Sequence, residues 1–598
     1  MAKKPIYILG INDGHLSTAT LMKDGKIVAA ASEERFVREK NYSGFPYKAI
    51  KYVLDSEGIK GKDVARVALH AKWGVPVFSD SKVQQDLALK IFVRLYKPLY
   101  YLRRAWGFLE YRIPFLSVFR RPLYELAFRL VGARTMEKNK EHISSLLKIK
   151  KDQVRLYEHH SSHAAAAYYT SPYNDKDALV LTIDGEGDLL SASVNTVKDG
   201  KWSRLAATSS DSSFGWLYGE VTSFLGMKKN EHEYKVMGMA PYSKEEYVNK
   251  LFEAKVKDLI RIDERNPLKF RSKFDVHMSG FYLKKRMYKE RFDNIAGAFQ
   301  KLVEDRLSEW VSNAIKETGI TTVCLSGGVA MNVKANLKIA ELPEVKEFYV
   351  CPSSGDESSP TGACYLAYLE YCEEEGVKPQ ISELGPLYFG PSFTNGDVKK
   401  FLSKGGYFKK YNVKYVKDIE KTIAKLVAND KIVARMAGRM EWGARALGNR
   451  SILSNPSNPD LVQVLNEQVK GRDFWMPFTP SVLKERAKDY IVNPKNIPAP
   501  YMILTFESTE KAQKEIKAAM HAYDFTVRPQ LVEKDWNPGY YKIIKEFEKL
   551  TGVGAVLNTS FNLHGLPIVL GPREAMHAFE NSGLKYLAME NYLIQKKN

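Results

Sequence analysis

The chain has 598 residues, 44% hydrophobic and 27% charged, a folded globular composition and too much chain for one ordinary core. Wholesale disorder is excluded, and so is a helical membrane span, because no run of about 18 uncharged apolar residues occurs. The formal net charge of +20 admits nucleic acid, an anionic membrane surface or phosphorylated substrates as partners, and its location decides among them.

The opening, MAKKPIYILGIND, enters a short strand directly and does not read as a secretory leader. The four cysteines, Cys324, Cys351, Cys364 and Cys372, fit neither a metal knuckle nor a disulfide framework, so reduced thiols in a cytoplasmic protein are expected. Residues 6–31 predict a strand, a tight polar turn, a second strand, a KDGK turn and a third strand. Residues 178–207 repeat the series. Both copies carry Asp-Gly after the first strand (Asp13-Gly14, Asp184-Gly185) and close the next hairpin with Lys-Asp-Gly-Lys, a strong hairpin signal. Two lobes opening on such hairpins are the layout of the actin, hexokinase and Hsp70 group, which holds nucleotide between the lobes. Residues 321–338 then read as strand, Gly-Gly turn and helix. Gly327, Gly328 and Asn332 are expected to face that nucleotide, through close backbone approach and free N–H groups at a helix start. A Gly-, Pro- and Glu-rich stretch follows from about residue 375, and a boundary near 390 is expected. The predicted fold class is α/β: a duplicated actin-like (ASKHA) domain over 1–390 with a helical insert at 75–150, then an α/β domain over 391–598.

The sharpest local signal is Glu158-His-His-Ser-Ser-His-Ala-Ala-Ala-Ala167, whose alanines and lack of breakers predict a helix. Positions i and i+4 share a helical face, so His159 and His163 point together and His160 does not. Such a pair is as often two packed, hydrogen-bonded side chains as a clamp for a transition metal. Asp184 and Asp356 tip the balance, since two imidazoles with two carboxylates suit Fe(II), Zn or Mn better than Mg.

The segments HHSSHAAAAYYTSP, TIDGEGD, EHEYKVMGMAPY (231–242), LSGGVAMNVKAN, GRMEWGARALGNRSIL and LNTSFNLHGLPIV, with the N-terminal GINDGHLSTATLMKDGKIVAAASEERFVREKNYSGFP, resemble the O-carbamoyltransferases. Members of that family modify nodulation factors, cephamycin and aminoglycosides. The likeness runs from residue 8 to about 592, except 75–150. It implies an N-terminal domain similar to the universal tRNA threonylcarbamoyl transferase, with iron on His159, His163, Asp184 and Asp356. It also implies a YrdC-like C-terminal domain for carbamoyl phosphate and ATP, the latter with Mg. Carbamoyl-adenylate would form there and pass to the metal centre, where an acceptor hydroxyl takes the carbamoyl group. By motif, His15 would accept the hydroxyl proton and Lys40 would orient the adenylate phosphate. Arg445, Arg450, Lys470, Arg472 and Arg528 would grip the anions, as arginine forks do, with Asn558, Ser560 and Asn562 beside the carbamoyl group. One position departs from the pattern. Met476 stands where many relatives have arginine, which puts the individual phosphate contacts in doubt.

Residues 92–134 hold nine Arg/Lys, two Glu and eleven aromatics, so a net +7 of the formal +20 sits there. Basic residues interleaved with aromatics over short helices suit a membrane interface, and the long aliphatics favour lipid over nucleic acid. A helical insert packed on its domain, basic face in water, fits equally well. Peripheral attachment to the inner membrane face is therefore one expectation, tested by co-sedimentation with anionic vesicles. No nucleic-acid partner is expected, and a homodimer is compatible with the sequence. A sugar kinase would have little use for the His-x3-His clamp, and a degenerate binding protein would have lost its metal or phosphate residues. A tRNA-modifying enzyme of this type would usually split the two activities between separate chains.

Overall fold

The computed structural model describes residues 4–73 and 117–597. They form two compact units, Met1–Glu33 with Asn41–Leu384, and Glu34–Lys40 with Gly385–Asn598. Of the basic aromatic stretch, 92–116 lies outside the described residues, and the remainder opens the helix Ser117–Leu147. Among the described residues, no helix is long and apolar enough to cross a membrane.

The first unit is a duplication. Its first sheet joins β1 (Tyr7–Asn12), β2 (Thr18–Lys23), β3 (Lys26–Ser32), β4 (Arg66–Leu69) and β5 (Val154–Leu156) in the order β3-β2-β1-β4-β5. β1 to β3 are antiparallel, and β1, β4 and β5 run parallel. The second lobe contains β6 (Ala178–Gly187), β7 (Leu190–Lys198) and β8 (Lys201–Ser209). A separate hairpin follows, β9 (Ile260–Asp263) with β10 (Asn266–Ser272), and then β11 (Thr322–Ser326) and β12 (Glu347–Val350). Its sheet order, β12-β11-β6-β7-β8, repeats the first sheet in order and direction. This is the expected actin-like architecture. The two KDGK turns are equivalent in detail. Asp24 and Gly25 have φ of 49° and 79°, and Asp199 and Gly200 have 48° and 71°. Both central residues are left-handed, as a type I′ hairpin turn requires.

Small residues set how the helices sit. Helix α1 (His159–Tyr169) packs on helix α2 (Ser359–Glu374), and Ala164 to Ala167 are buried. A Cβ at Gly362 would lie 1.8 Å from the Ser162 carbonyl oxygen and 2.7 Å from the Ala166 nitrogen, so the helices touch backbone to backbone. A Cβ at Gly10 would fall 2.2 Å from the Pro360 carbonyl oxygen, which presses β1 against α2 in the same way.

The second unit is built on one mixed sheet of β13 (Asn412–Tyr415), β14 (Val433–Met436), β15 (Arg450–Ser454), β16 (Thr479–Leu483), β17 (Gln530–Val532), β18 (Ala555–Ser560), β19 (Tyr586–Met589) and β20 (Tyr592–Gln595). Their order is β13-β20-β19-β14-β15-β18-β16-β17. Ile452, Leu557, Phe561, Phe579 and Leu587 lie in its core. The units divide between Leu384 and Gly385, and one short piece departs from linear order. Glu34–Lys40, assigned above to the N-terminal domain, belongs to the second unit. There Arg35 donates to the Gly443 carbonyl (2.8 Å), and Arg38 to those of Ile568 (2.9 Å) and Pro567 (3.1 Å).

Candidate metal centre and anion pocket

Glu158 starts α1 as its N-cap, accepting from the His160 and Ser161 backbone N–H groups. The helix then turns its histidines as the spacing predicts. His160 points away and bonds Thr182 Oγ1 through Nδ1 (2.7 Å), while His159 and His163 bring their Nε2 atoms to 3.1 Å. β6 supplies Asp184 where its pairing with β7 shifts register, the kind of irregularity that re-aims a side chain. Asp184 Oδ2 is 3.2 Å from His159 Nε2, and Asp356 Oδ1 is 3.6 Å from His159 Nε2 and 3.5 Å from His163 Nε2. One donor atom from each of the four residues lies within 4.8 Å of the others.

This set fits a transition metal. Two buried imidazole nitrogens this close, with two carboxylates, are a donor cluster that a cation would satisfy. Burial alone would pull His159 down. The hydrogen bond to Asp184 and the charge of Asp356 outweigh it and hold His159 up at about 9. Asp184 is likewise held well below the carboxylate range, despite burial, by the bond to His159 and the neighbouring imidazoles.

The supporting shell uses several of the predicted residues. Gly328 N–H donates to Asp184 Oδ1 (2.6 Å), and Ser326 Oγ meets His163 Nδ1 at 3.3 Å. The Gly-Gly turn thus braces a donor carboxylate. Gly327, at φ 103°, could not bear a Cβ, which would sit 2.2 Å from the Ile183 carbonyl oxygen. Asn332 caps the following helix through Ala335 N–H (3.1 Å) and exchanges amide bonds with Gln300. Its amide and the Gly328 N–H are thus both engaged within the protein. Asn12 ties the His15 turn to the Asp356 loop, donating to the carbonyls of His15 (2.7 Å), Leu16 (3.3 Å) and Asp356 (3.0 Å). Asp188, which the sequence reading passed over, accepts from the backbone N–H groups of His159 (2.8 Å), Lys72 (3.0 Å) and Trp73 (2.8 Å). A second donor group, Asp211, Asp275 and His277, lies elsewhere in this unit. Both ring nitrogens of its histidine are engaged, Nδ1 by Asp275 (2.6 Å) and Nε2 by Glu186 (3.2 Å).

In the second unit the basic residues divide by role. Arg528 is hemmed in by the positive charges of Arg445 and Arg472, and burial together with those charges holds it well below the usual arginine range. Its Nε is buried without a hydrogen-bond partner. Lys470 is buried, and its ammonium donates to the Ser560 carbonyl, Ser560 Oγ (3.2 Å), Asn562 Oδ1 (2.8 Å) and the Asn562 carbonyl (3.4 Å). Burial and the charges of Arg472 and Lys40 push it well down. The positive charges of Lys40 and Arg472 thus act on Lys470, and those of Arg445 and Arg472 on Arg528, while Lys470 holds the Ser560 turn.

Arg450 is a correction. It is fully buried, and its guanidinium donates to the carbonyls of Leu570, Ala437, Gly438, Asn449 and Pro391, so it is a backbone brace with no fork left for phosphate. Asn558 is buried as well, its amide donating to the Ala446 carbonyl (3.1 Å) and Ser481 Oγ (3.0 Å). Glu441, also passed over, anchors the arginine loop by accepting from the N–H groups of Leu447 (2.8 Å), Asn449 (2.7 Å) and Arg450 (3.1 Å) on one oxygen.

Duplicated actin-like lobes with a two-histidine, two-aspartate donor cluster, joined to a unit that gathers the like charges of Arg445, Arg472 and Arg528, define the class of molecule. The chain belongs to the carbamoyltransferase family: the family's N-terminal model matches residues 7–365 and its C-terminal model residues 424–596. The uncharacterized protein MJ1051 of Methanocaldococcus jannaschii is 31% identical over 98% of this chain and 99% of its own length. Nodulation protein NolNO of Sinorhizobium fredii is 28% identical over 98% of this chain and 79% of its own. Among solved structures, component A of (R)-2-hydroxyglutaryl-CoA dehydratase from Acidaminococcus fermentans is 15% identical, covering 61% of this chain and 98% of its own at a TM-score of 0.30. T. kodakarensis HypF is 13% identical, covering 62% and 50%, at 0.32.

Proposed function

We propose that this chain is an ATP-dependent O-carbamoyltransferase that makes carbamoyl-adenylate in its C-terminal, YrdC-like unit and transfers the carbamoyl group at the metal centre of its N-terminal unit. The observation that carries the reading is the convergence of His159, His163, Asp184 and Asp356 on one buried point. In the first step water splits carbamoyl phosphate into carbamate and phosphate, and a carbamate oxygen attacks the α-phosphorus of Mg-ATP, displacing pyrophosphate. Arg445, Arg472 and Arg528 hold the phosphates and Lys40 orients the adenylate, while Lys470 keeps the Ser560 turn in shape. In the second step the acceptor hydroxyl oxygen bonds to the carbamoyl carbon, the bond from that carbon to the AMP oxygen breaks, and AMP leaves with its electrons. His15 takes the hydroxyl proton. A metal bound to the four donors, iron(II) foremost with zinc and manganese as alternatives, supplies polarisation of the carbamoyl carbonyl. The acceptor is a hydroxyl-bearing sugar or natural-product glycan.

The test is incubation of the full chain with carbamoyl phosphate, ATP and Mg, alone and with iron, zinc or manganese. Pyrophosphate and AMP are the expected products. Their absence under every metal condition overturns the proposal.

A further inference from the structure

The wall of the metal centre carries one more histidine. His70 follows β4 directly, and its ring lies 5.4 Å from that of His159, centre to centre, tilted by 56°. It falls outside the set of donor atoms within 4.8 Å of one another, so it stands beside the centre rather than in it. Only 7% of it is exposed, yet its Nδ1 makes no hydrogen bond. Folded interiors leave few buried polar atoms in that state, and a catalytic role is one recognised reason.

The ring is nevertheless held in place through its backbone. Tyr157 N–H donates to the carbonyl of Leu69 (2.9 Å), which sets the end of β4 against the strand leading into α1. Asp188 then clamps Lys72 and Trp73 to the same carboxylate that holds His159 N–H. The position of His70 relative to the histidine pair is therefore fixed by main-chain bonds, with its ring left uncommitted. A polar group held rigidly beside a site is the arrangement that recognition requires. In its neutral form an imidazole offers one N–H and one lone pair.

We propose that His70 is a substrate-binding residue of the transfer centre, its lone-pair nitrogen accepting a hydrogen bond from the carbamoyl N–H. An acetyl or formyl group offers no such donor, so the contact selects for carbamoyl. The inference rests on the transferase reading above.

The experiment uses the full-length, metal-loaded protein with carbamoyl phosphate, Mg-ATP and water as acceptor. Pyrophosphate reports adenylation, and AMP with ammonia reports carbamoyl turnover. His70→Phe should keep the pyrophosphate burst, the metal content and, with Co2+ as the metal, the resting absorption spectrum. AMP and ammonia release should slow by about tenfold, the loss of one buried hydrogen bond. His70→Gln keeps a hydrogen-bond acceptor and should regain most of that rate. Should His70→Phe fold poorly, His70→Leu decides: slower turnover at unchanged metal content supports the proposal, and unchanged turnover overturns it. Wild-type turnover in His70→Phe reduces the ring to packing, and a changed resting Co2+ spectrum makes it a ligand; either result overturns the proposal. If wild type yields no pyrophosphate, the transferase reading fails first, and the two failures stay separate.

Discussion

At the scale of single residues, the charge state of His159 sets how the centre takes a cation. A metal binds the neutral imidazole, and in its absence His159 is held up at about 9 by Asp184 and Asp356 against the opposing effect of burial. Below that value the metal must displace a proton. Affinity should therefore climb with pH up to about 9, by roughly tenfold per unit for one displaced proton. Competition titration with a chelator at several pH values checks this, and an affinity flat between pH 6 and 8 would contradict it. Arg528 supports the opposite kind of argument. It is buried beside two like charges, so Arg528→Gln should leave the fold as stable or more so. ATP and carbamoyl phosphate binding should weaken by about tenfold or more, through the lost charge-assisted contact. Urea unfolding and pyrophosphate kinetics on the same variant separate the two effects. If stability and binding fall together, the residue is structural. The sequence distinguished these residues unevenly. His159 and His163 were legible because a helix has a fixed period. Arg450 was not, because a guanidinium spent on carbonyls and one awaiting phosphate look alike in a motif. Asp188 and Glu441 act by accepting backbone N–H groups, which leaves no signature in spacing.

Among the elements, the joint between α1 and α2 decides whether the histidine pair keeps its geometry. The alanine run marked α1 as a helix, and the structure adds why alanine was needed: all four lie buried where the two backbones meet. Gly362→Ala would drive a methyl into the Ser162 carbonyl, one residue before His163. The helices must then part, at a cost of about 1–3 kcal/mol or more by overpacking. The variant should unfold at lower urea and also bind metal more weakly, because α1 carries both imidazoles. Chelator titration beside urea unfolding reads both, and a loss of stability with metal affinity intact would uncouple the joint from the centre. The hairpins were legible for a comparable reason. Asp-Gly has few ways to turn, whereas the register shift in β6 that presents Asp184 depends on pairing with β7, which no local pattern encodes.

For the molecule as a whole, the division into units was legible from composition near residue 375, but its true course was not. Glu34–Lys40 is separated from the rest of the second unit by more than three hundred residues, and only hydrogen bonding shows where it belongs. Arg35 and Arg38 together satisfy three backbone carbonyls of that unit, one of them Gly443, which precedes Arg445 by two positions. Lys40, at the end of the segment, adds its charge to that of Arg472 around Lys470. A fragment spanning 385–598 would keep the whole eight-stranded sheet and yet lack the segment. Each lost guanidinium bond to a carbonyl is worth roughly 1–3 kcal/mol, so the fragment should unfold at lower urea than the corresponding transition of the intact chain. It should also bind ATP more weakly than Lys40→Ala in the full-length protein, because it loses the anchored loop as well as the charge. Addition of a synthetic peptide covering 33–41 should restore part of both. A fragment that binds ATP as tightly as the intact chain would show that the C-terminal sheet builds its anion pocket alone and that the segment only rests upon it.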